Sequence, residues 1–234
     1  MQNKKMGCLV IHGFGGGLHE VESLALFLSD NDYDVICPTL KGHTGKRHDM
    51  KKATYEDWIN SAEIELIKLL EKNNEVVIIG FSMGGLIATN LSLKYDIKAM
   101  VTINTPIYFW DIKRVFINLI NDIKNRKLNN FKRYLRANKI SHPFALLNFL
   151  KVLKKTKPLF KEIKHPFLVI QAMDDDTVRN KSALYIYNNI CSPIKEIKFY
   201  DKGGHLILLS ETSNNVIVEV GKFLNKIKKI KYIV

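Results

Sequence analysis

The feature that most constrains the fold is a regular alternation of short apolar runs with longer amphipathic segments. Six runs of five to seven residues are rich in Val, Ile, Leu and Phe, which is typical of buried strands. Between them, apolar residues recur with the period of a helix. This alternation predicts an α/β fold, in which helices flank a mostly parallel sheet. We expect strands at 6–11, 33–37, 76–80, 99–103, 167–171 and 194–200, and helices at 21–29, 55–71, 84–94, 180–189 and 214–230.

One connection is much longer than the others. About 60 residues separate the fourth predicted strand from the fifth, whereas connections in α/β units commonly have about two to six. We therefore expect a core formed by residues 1–106 and 165–234, with a helical insertion at residues 107–164 over one end of the sheet. Apolar residues in this insertion recur at helical spacing, first at Val115, Leu119 and Ile123 and then at Phe144, Leu147, Leu150 and Leu153.

The positive charge is concentrated in the same insertion. The chain carries a net charge of +13, and 15 of its 36 Lys and Arg residues lie within residues 107–164, together with only three acids. No helix-turn-helix, zinc-finger or RNA-recognition pattern accompanies them, so we expect no nucleic-acid partner. Three interpretations of the basic segment stay open: a solvated helix surface, a weak contact with anionic membrane surfaces, or the attraction of acidic substrates. The oligomeric state is open as well.

The cysteines and the N-terminal residues indicate a cytoplasmic protein. Cys8, Cys37 and Cys191 have neither paired nor metal-ligand spacing, so we interpret them as free thiols in a reducing compartment. The first residues lead directly into a predicted strand without a separate apolar segment and cleavage site, so we expect no secretory signal. No apolar stretch approaches the roughly 18–20 residues that a transmembrane helix needs.

A Gly-x-Ser-x-Gly pentapeptide, Gly80-Phe81-Ser82-Met83-Gly84, lies where the third predicted strand meets a predicted helix. A sharp turn at this point lifts a serine side chain out of the sheet, where a base can reach it. Gly80 and Gly84 are suited to such a turn because they lack a Cβ atom. The alternative is a small residue at an ordinary turn or helix cap.

Three other polar features follow strands and therefore meet the serine at the carboxyl edge of the sheet. The loop that begins with His12 and Gly13 contains Gly15 and is suited to holding backbone amides near a reacting carbonyl, with Phe14 and Met83 as the two N–H donors. A phosphate-binding loop or a plain turn is the alternative, although neither the P-loop nor the dinucleotide pattern matches. His12 itself we interpret as bracing the loop.

An acid and a histidine complete the set. Asp174-Asp175-Asp176 follows the fifth predicted strand, and an acid there is able to orient an imidazole. Residue type does not separate the three acids, and a solvated turn or a metal site is the alternative. His205 follows the last predicted strand and Gly203-Gly204, where a surface or core histidine is the alternative. The chain order Ser, Asp, His is the order of the α/β-hydrolases.

At these residues the chain resembles the small bacterial carboxylesterases and monoacylglycerol lipases of the α/β-hydrolase superfamily. The similar stretches begin at residues 10, 38, 80, 171 and 203, so they span nearly the whole length. The resemblance implies Ser82 as nucleophile, His205 as base and Asp175 as third member, because the family's acid stands three residues before an apolar residue, here Val178. It also implies Phe14 and Met83 as oxyanion donors, and a small helical cap after the sixth strand of the family's sheet.

The resemblance leads us to expect a serine carboxylesterase that acts through an acyl-enzyme on Ser82, with a small-molecule ester as substrate and with no cofactor or metal. Esters of short- to medium-chain acids fit an apolar cap lining. Monoacylglycerol lipase or thioesterase activity on the same triad is the alternative, and a ligand-binding sensor with a hydrolase fold is an alternative of another class. The aromatic residues of the insertion that suggest this lining are Tyr108, Phe109, Trp110, Phe116 and Phe144.

Overall fold

Six parallel strands form the central sheet of the protein in a computed structural model that describes residues 5–109 and 143–230. The order across the sheet is β2-β1-β3-β4-β5-β6, so the chain crosses from one half of the sheet to the other after β2. Each strand prediction is confirmed to within one residue at either end. The strands are β1 (Met6–Ile11), β2 (Tyr33–Ile36), β3 (Val76–Phe81), β4 (Ala99–Ile103), β5 (Phe167–Ala172) and β6 (Lys195–Tyr200).

Helices cover both faces of this sheet, as the alternating pattern predicts. Short 3-10 helices lie at Leu18–Glu20, Lys157–Glu162 and Ile207–Leu209. Because side chains alternate along a strand, Cys8 and Val10 of β1 belong to one buried cluster, while Leu9 and Ile11 belong to the other. The α-helices of the described residues are α1 (Glu22–Asp30), α2 (Arg47–Met50), α3 (Tyr55–Lys72), α4 (Met83–Ser92), α5 (Pro143–Thr156), α6 (Lys181–Asn189) and α7 (Ser213–Lys229).

The helices form two layers, one on each face of the sheet, and each helix contributes side chains to the buried cluster of its own face. Side chains of α1 and α7 pack on one face, where Leu24 and Phe223 are buried. Side chains of α3, α4, α5 and α6 pack on the other face, which contains the fully buried Trp58. This second layer contains α4, the helix that follows the serine turn. The candidate site therefore lies where this layer meets the carboxyl ends of the strands.

The long insertion follows β4, the fourth of six strands in this sheet, whereas the resemblance implied an insertion after a sixth strand. Its residues 110–142, including Val115, Leu119, Ile123, Trp110 and Phe116, lie outside the described residues. Residues 143–162 are helical, and α5 packs against α3 and α4. The domain boundary at residues 107–164 stays a prediction.

The buried face of α5 differs from the expected one. The spacing of Phe144, Leu147 and Leu150 marks these residues as the apolar face, yet Leu147 is 57% exposed and the other two are also exposed. Ala145, Phe149 and Val152 are buried instead, together with Asn148. The helix is apolar on two sides, so its sequence period does not determine which side packs on α3 and α4.

None of the helices in the described ranges is both long enough and apolar enough to cross a membrane.

Candidate active site

Ser82 stands in a strained turn between β3 and α4. Its backbone has φ 51° and ψ −121°, a conformation that costs energy for any residue with a side chain. The turn is possible because the chain passes close to itself on either side of the serine. A Cβ atom at Gly80 would lie 2.3 Å from the amide nitrogen of Gly85, and one at Gly84 would lie 2.2 Å from the carbonyl oxygen of Ile11. The glycines of the pentapeptide are therefore required by close backbone contact.

The structure brings Ser82, His205 and Asp175 together in one line of hydrogen bonds, which we call the serine line. The Nε2 atom of His205 lies 3.0 Å from the hydroxyl of Ser82, and its Nδ1 atom lies 2.8 Å from a carboxylate oxygen of Asp175. The Asp175 side chain is fully buried, whereas that of His205 keeps 13% exposure. A carboxylate accepts a hydrogen bond, so Nδ1 carries the proton and Nε2 is free to accept the hydroxyl proton.

Each of the three consecutive acids has its own partners. The other oxygen of Asp175 accepts hydrogen bonds at 2.8 Å from the amides of Thr177 and Val178, which fix the carboxylate. Asp174 accepts hydrogen bonds from the amides of Gly203 and Gly204, and the buried Asp176 accepts one from the Thr177 hydroxyl. Asp175 is the acid whose hydrogen bond to the imidazole orients His205. Within residues 5–109 and 143–230, no group of three or more His, Cys, Asp and Glu side chains is arranged to hold a metal ion.

The two expected amide donors belong to segments that adjoin Ser82. Met83 is the first residue of α4, and its N–H group therefore has no acceptor within the helix. Phe14 lies in the loop directly after β1, where the neighbouring Gly15 has a left-handed φ of 69°. The structure places Gly13 against Ser82, because a Cβ atom on Gly13 would lie 3.2 Å from the Cβ atom of the serine.

Both peptide groups that flank Gly13 are anchored. Its N–H group donates to the Glu20 carboxylate at 3.0 Å, and its carbonyl oxygen lies 2.9 Å from Nδ1 of His12 and accepts from the Gly16 amide at 3.4 Å. The carbonyl can only accept, so His12 is protonated at Nδ1. In a trans peptide the N–H points opposite to the C=O, so fixing the Gly13 carbonyl aims the Phe14 N–H. His12 therefore braces the loop.

A comparison with protein-family models identifies the fold. The model described as "alpha/beta hydrolase fold" matches residues 9–147, which is more than half of the chain. The chain belongs to the α/β hydrolase family. The serine turn and the loop after β1 both lie within the matched residues.

Relatives of this α/β hydrolase carry two activity names. A carboxylesterase of Bacillus subtilis (strain 168) is 25% identical over 228 residues, which cover 94% of this chain and 92% of the relative. A thermostable monoacylglycerol lipase of Bacillus sp. (strain H-257) is 26% identical over 236 residues, covering 96% and 92% of the two chains. A solved structure of the metagenome-derived lipolytic enzymes LipS and LipT superposes with a TM-score of 0.79 at 20% identity, over 95% of this chain and 94% of the other.

Aromatic rings form a wall beside the candidate oxyanion loop of the hydrolase. The Phe14 ring lies 5.3 Å from that of Phe149 and 5.7 Å from that of Trp58, measured between ring centroids. Phe109 packs edge-on against Phe149 at 5.6 Å. His43 packs edge-on against Trp58 at 5.6 Å, and burial lowers the pKa of its imidazole to about 4. These rings place an apolar surface beside the loop that carries the Phe14 amide.

Sequence reasoning misses three polar residues at the site. Glu20 and Asn104 are buried side chains that hold loops, and His43 is a buried ring in the aromatic wall. A loop-holding Glu or Asn has no spacing pattern of its own in a single sequence. His43 belongs to a stretch that resembles the family, so the resemblance marked its segment without assigning it a role.

Proposed function

We propose that this α/β hydrolase is a serine carboxylesterase that forms an acyl-enzyme on Ser82. Carboxylesterase and monoacylglycerol lipase are the names of two of its relatives, and both are ester hydrolases. The observation that carries the proposal is the hydrogen-bonded line from Ser82 through His205 to Asp175. A serine, a base and an orienting acid in this arrangement are the parts that nucleophilic acyl transfer needs.

In the first half-reaction, the Ser82 hydroxyl attacks the ester carbonyl while Nε2 of His205 takes its proton. The buried carboxylate of Asp175 stabilises the imidazolium that forms. The N–H groups of Phe14 and Met83 hold the oxyanion of the tetrahedral intermediate, since both are fixed before substrate arrives. The imidazolium then gives its proton to the leaving alkoxide, and the alcohol departs from the acyl-enzyme.

In the second half-reaction, water takes the place of the alcohol. His205 removes a proton from the water, which attacks the acyl carbonyl and forms a second tetrahedral intermediate in the same oxyanion site. Collapse of this intermediate returns the proton to the Ser82 oxygen and releases the carboxylic acid. Every proton moves through His205, so no metal or cofactor enters the cycle.

Esters of short- to medium-chain acids are the substrate class that we propose. The rings of Phe14, Phe109 and Phe149 supply an apolar surface beside the loop that carries the Phe14 amide, which supports an acyl chain over a charged group. The monoacylglycerol lipase relative makes monoacylglycerols the second candidate. A series of p-nitrophenyl esters from acetate to dodecanoate, run beside monoacylglycerols, ranks the two by kcat/KM.

The serine is tested by Ser82→Ala. We expect hydrolysis of p-nitrophenyl butyrate to fall by about 10³-fold or more, because the remaining oxyanion donors cannot replace a nucleophile. Ser92→Ala is a matched control, since Ser92 is a buried serine at the end of α4, the helix that Ser82 precedes, and its hydroxyl donates to the Thr89 carbonyl. This variant should keep wild-type kcat. Undiminished hydrolysis by Ser82→Ala would refute the mechanism.

Turnover separates the esterase from a ligand-binding sensor on the same fold. Rapid mixing of wild-type protein with p-nitrophenyl butyrate should give a continued steady state of p-nitrophenol release after any initial burst. One equivalent of product followed by no further release would identify a protein that is acylated but does not turn over.

A further inference from the structure

The end of β4 contacts the loops of all three members of the serine line. In the sheet, β4 lies between β3, which leads to Ser82, and β5, which leads to Asp175. The amide of Ser82 donates to the carbonyl oxygen of Ile103, the last residue of β4, at 2.8 Å. The next residue, Asn104, contacts the other two loops through its side chain.

The Asn104 side chain joins the acid loop to the histidine loop. Its Oδ1 atom accepts a hydrogen bond at 2.8 Å from the amide of Ala172, the last residue of β5. Its Nδ2 group donates to the carbonyl oxygens of Gly204 and His205, at 3.0 and 2.8 Å. Asn104 is fully buried, and all three partners are backbone groups. The Asn104 carboxamide therefore fixes the backbone of the two loops that carry Asp175 and His205.

The topology explains why the histidine loop needs this support. β6 is the edge strand, so the loop that follows it must cross above β5 and β4 for His205 to reach the serine after β3. Gly203 and Gly204, which begin the crossing, both have positive φ angles of 139° and 61°. A loop with two glycines in these conformations is flexible unless other groups hold it.

The backbone of Asn104 is also specialised. Its φ of 48° is left-handed, a conformation that Asn adopts more readily than most residues with a side chain. This φ turns the chain sharply at the end of β4, while the Asn104 N–H still donates to the Ile170 carbonyl at 2.9 Å. The turn thus places the carboxamide between the two loops.

We propose that Asn104 is a positioning residue, which holds the His205 and Asp175 loops in register with Ser82 through its single carboxamide. The inference rests on the proposed esterase function. Asn104 touches no reacting atom in this arrangement. It acts on the rate because a serine and a base that are misaligned by a fraction of an ångström transfer the proton poorly.

The test uses Asn104→Gly, because glycine adopts the left-handed φ without strain and removes all three side-chain hydrogen bonds. Sites are first counted by titrating the serine to completion with a p-nitrophenyl alkylphosphonate, and kcat for p-nitrophenyl butyrate is then expressed per titrated site. We expect kcat per site to fall at least about tenfold, with KM nearly unchanged. A merely structural role would lower the number of titrated sites and leave kcat per site at the wild-type value. A fall smaller than tenfold overturns the proposal.

A second variant and a control complete the design. Asn104→Asp has nearly the same size and keeps the acceptor for Ala172, but it loses both donors to the histidine loop, so we expect the same loss per site. A wild-type rate in Asn104→Asp would overturn the assignment to the His205 loop. Asn90→Ala is the control, since the Asn90 amide donates to Leu86 and Thr156 away from the serine line. Its kcat per site should stay at the wild-type value.

The Ser82→Ala and Asn104→Gly variants together separate the role of Asn104 from the esterase function. If Ser82→Ala abolishes hydrolysis while Asn104→Gly keeps its rate per site, only the role of Asn104 is wrong. If Ser82→Ala keeps its activity, the esterase mechanism itself is wrong.

Discussion

Glu20 places a buried carboxyl group beside a loop that we propose stabilises an oxyanion. Burial raises the pKa of this carboxyl group, and the hydrogen bond from the Gly13 amide opposes that effect. A negative charge at this place does not help an oxyanion, so the value of Glu20 lies in the acceptor that it offers to Gly13. We expect Glu20→Ala to lower kcat for p-nitrophenyl butyrate at least about tenfold, because it frees the loop that carries the Phe14 amide.

Glu20→Gln separates the acceptor from the charge. A glutamine oxygen is able to accept the same Gly13 hydrogen bond, so kcat should stay within about threefold of the wild-type value. Steady-state kinetics of the two variants, on protein with matched circular dichroism, provide the comparison. Equal losses in Glu20→Ala and Glu20→Gln would show that the charge matters, and our account of the hydrogen bond would then be wrong.

Single residues differ in how far a sequence reveals them. Ser82 stands in a pentapeptide whose glycines are needed by geometry, so the motif carries its own structural signature. His205 was expected because it follows a strand, whereas Asp175 was chosen from three consecutive acids by the family resemblance; the structure places the two side chains in hydrogen-bond contact. Asn104 and Glu20 act on backbone groups that are distant in sequence, so only the folded chain identifies their partners.

At the scale of elements, apolar runs located the strands because a parallel strand covered on both faces contains few polar residues. The predicted start of the helix at residue 55 is also confirmed. Thr54 and Asp57 form a reciprocal capping box at the start of α3, with the Asp57 amide 3.3 Å from the Thr54 hydroxyl. The packed side of α5 was not found, because neighbouring helices decide between its two apolar faces.

The capping box gives a prediction about stability. Thr54→Ala removes the acceptor for the Asp57 amide, so the free energy of unfolding should fall by about 1 kcal/mol. Urea denaturation with an unchanged m-value measures the difference. Thr54→Ser keeps a hydroxyl at the cap and should lose much less. A Thr54→Ala protein as stable as the wild type would mean that water replaces the cap at no cost.

At the scale of the whole molecule, two buried imidazoles link stability to pH. Burial lowers the pKa of His12, and it lowers the pKa of His43 from 6.5 to about 4, with the neighbouring His12 adding to the effect. Between pH 6.5 and about pH 4, His43 is protonated in the unfolded chain and neutral in the folded chain. The free energy of unfolding therefore falls as the pH decreases from 6.5 to about 4, and it is regained as the pH rises.

His43→Gln tests this linkage. Each pH unit within the window is worth about 1.4 kcal/mol per proton, so His43 accounts for about 3 kcal/mol of acid destabilisation. Urea denaturation at several pH values should give a wild-type curve that falls steeply below pH 6.5 and a His43→Gln curve that falls less. His48→Gln is the control, since His48 is exposed and its replacement should leave the slope unchanged. If the free energy of unfolding of His43→Gln has the same pH slope as that of the wild type, another group causes the acid destabilisation. The folded protein would then accommodate a charged His43 among the rings beside Phe14.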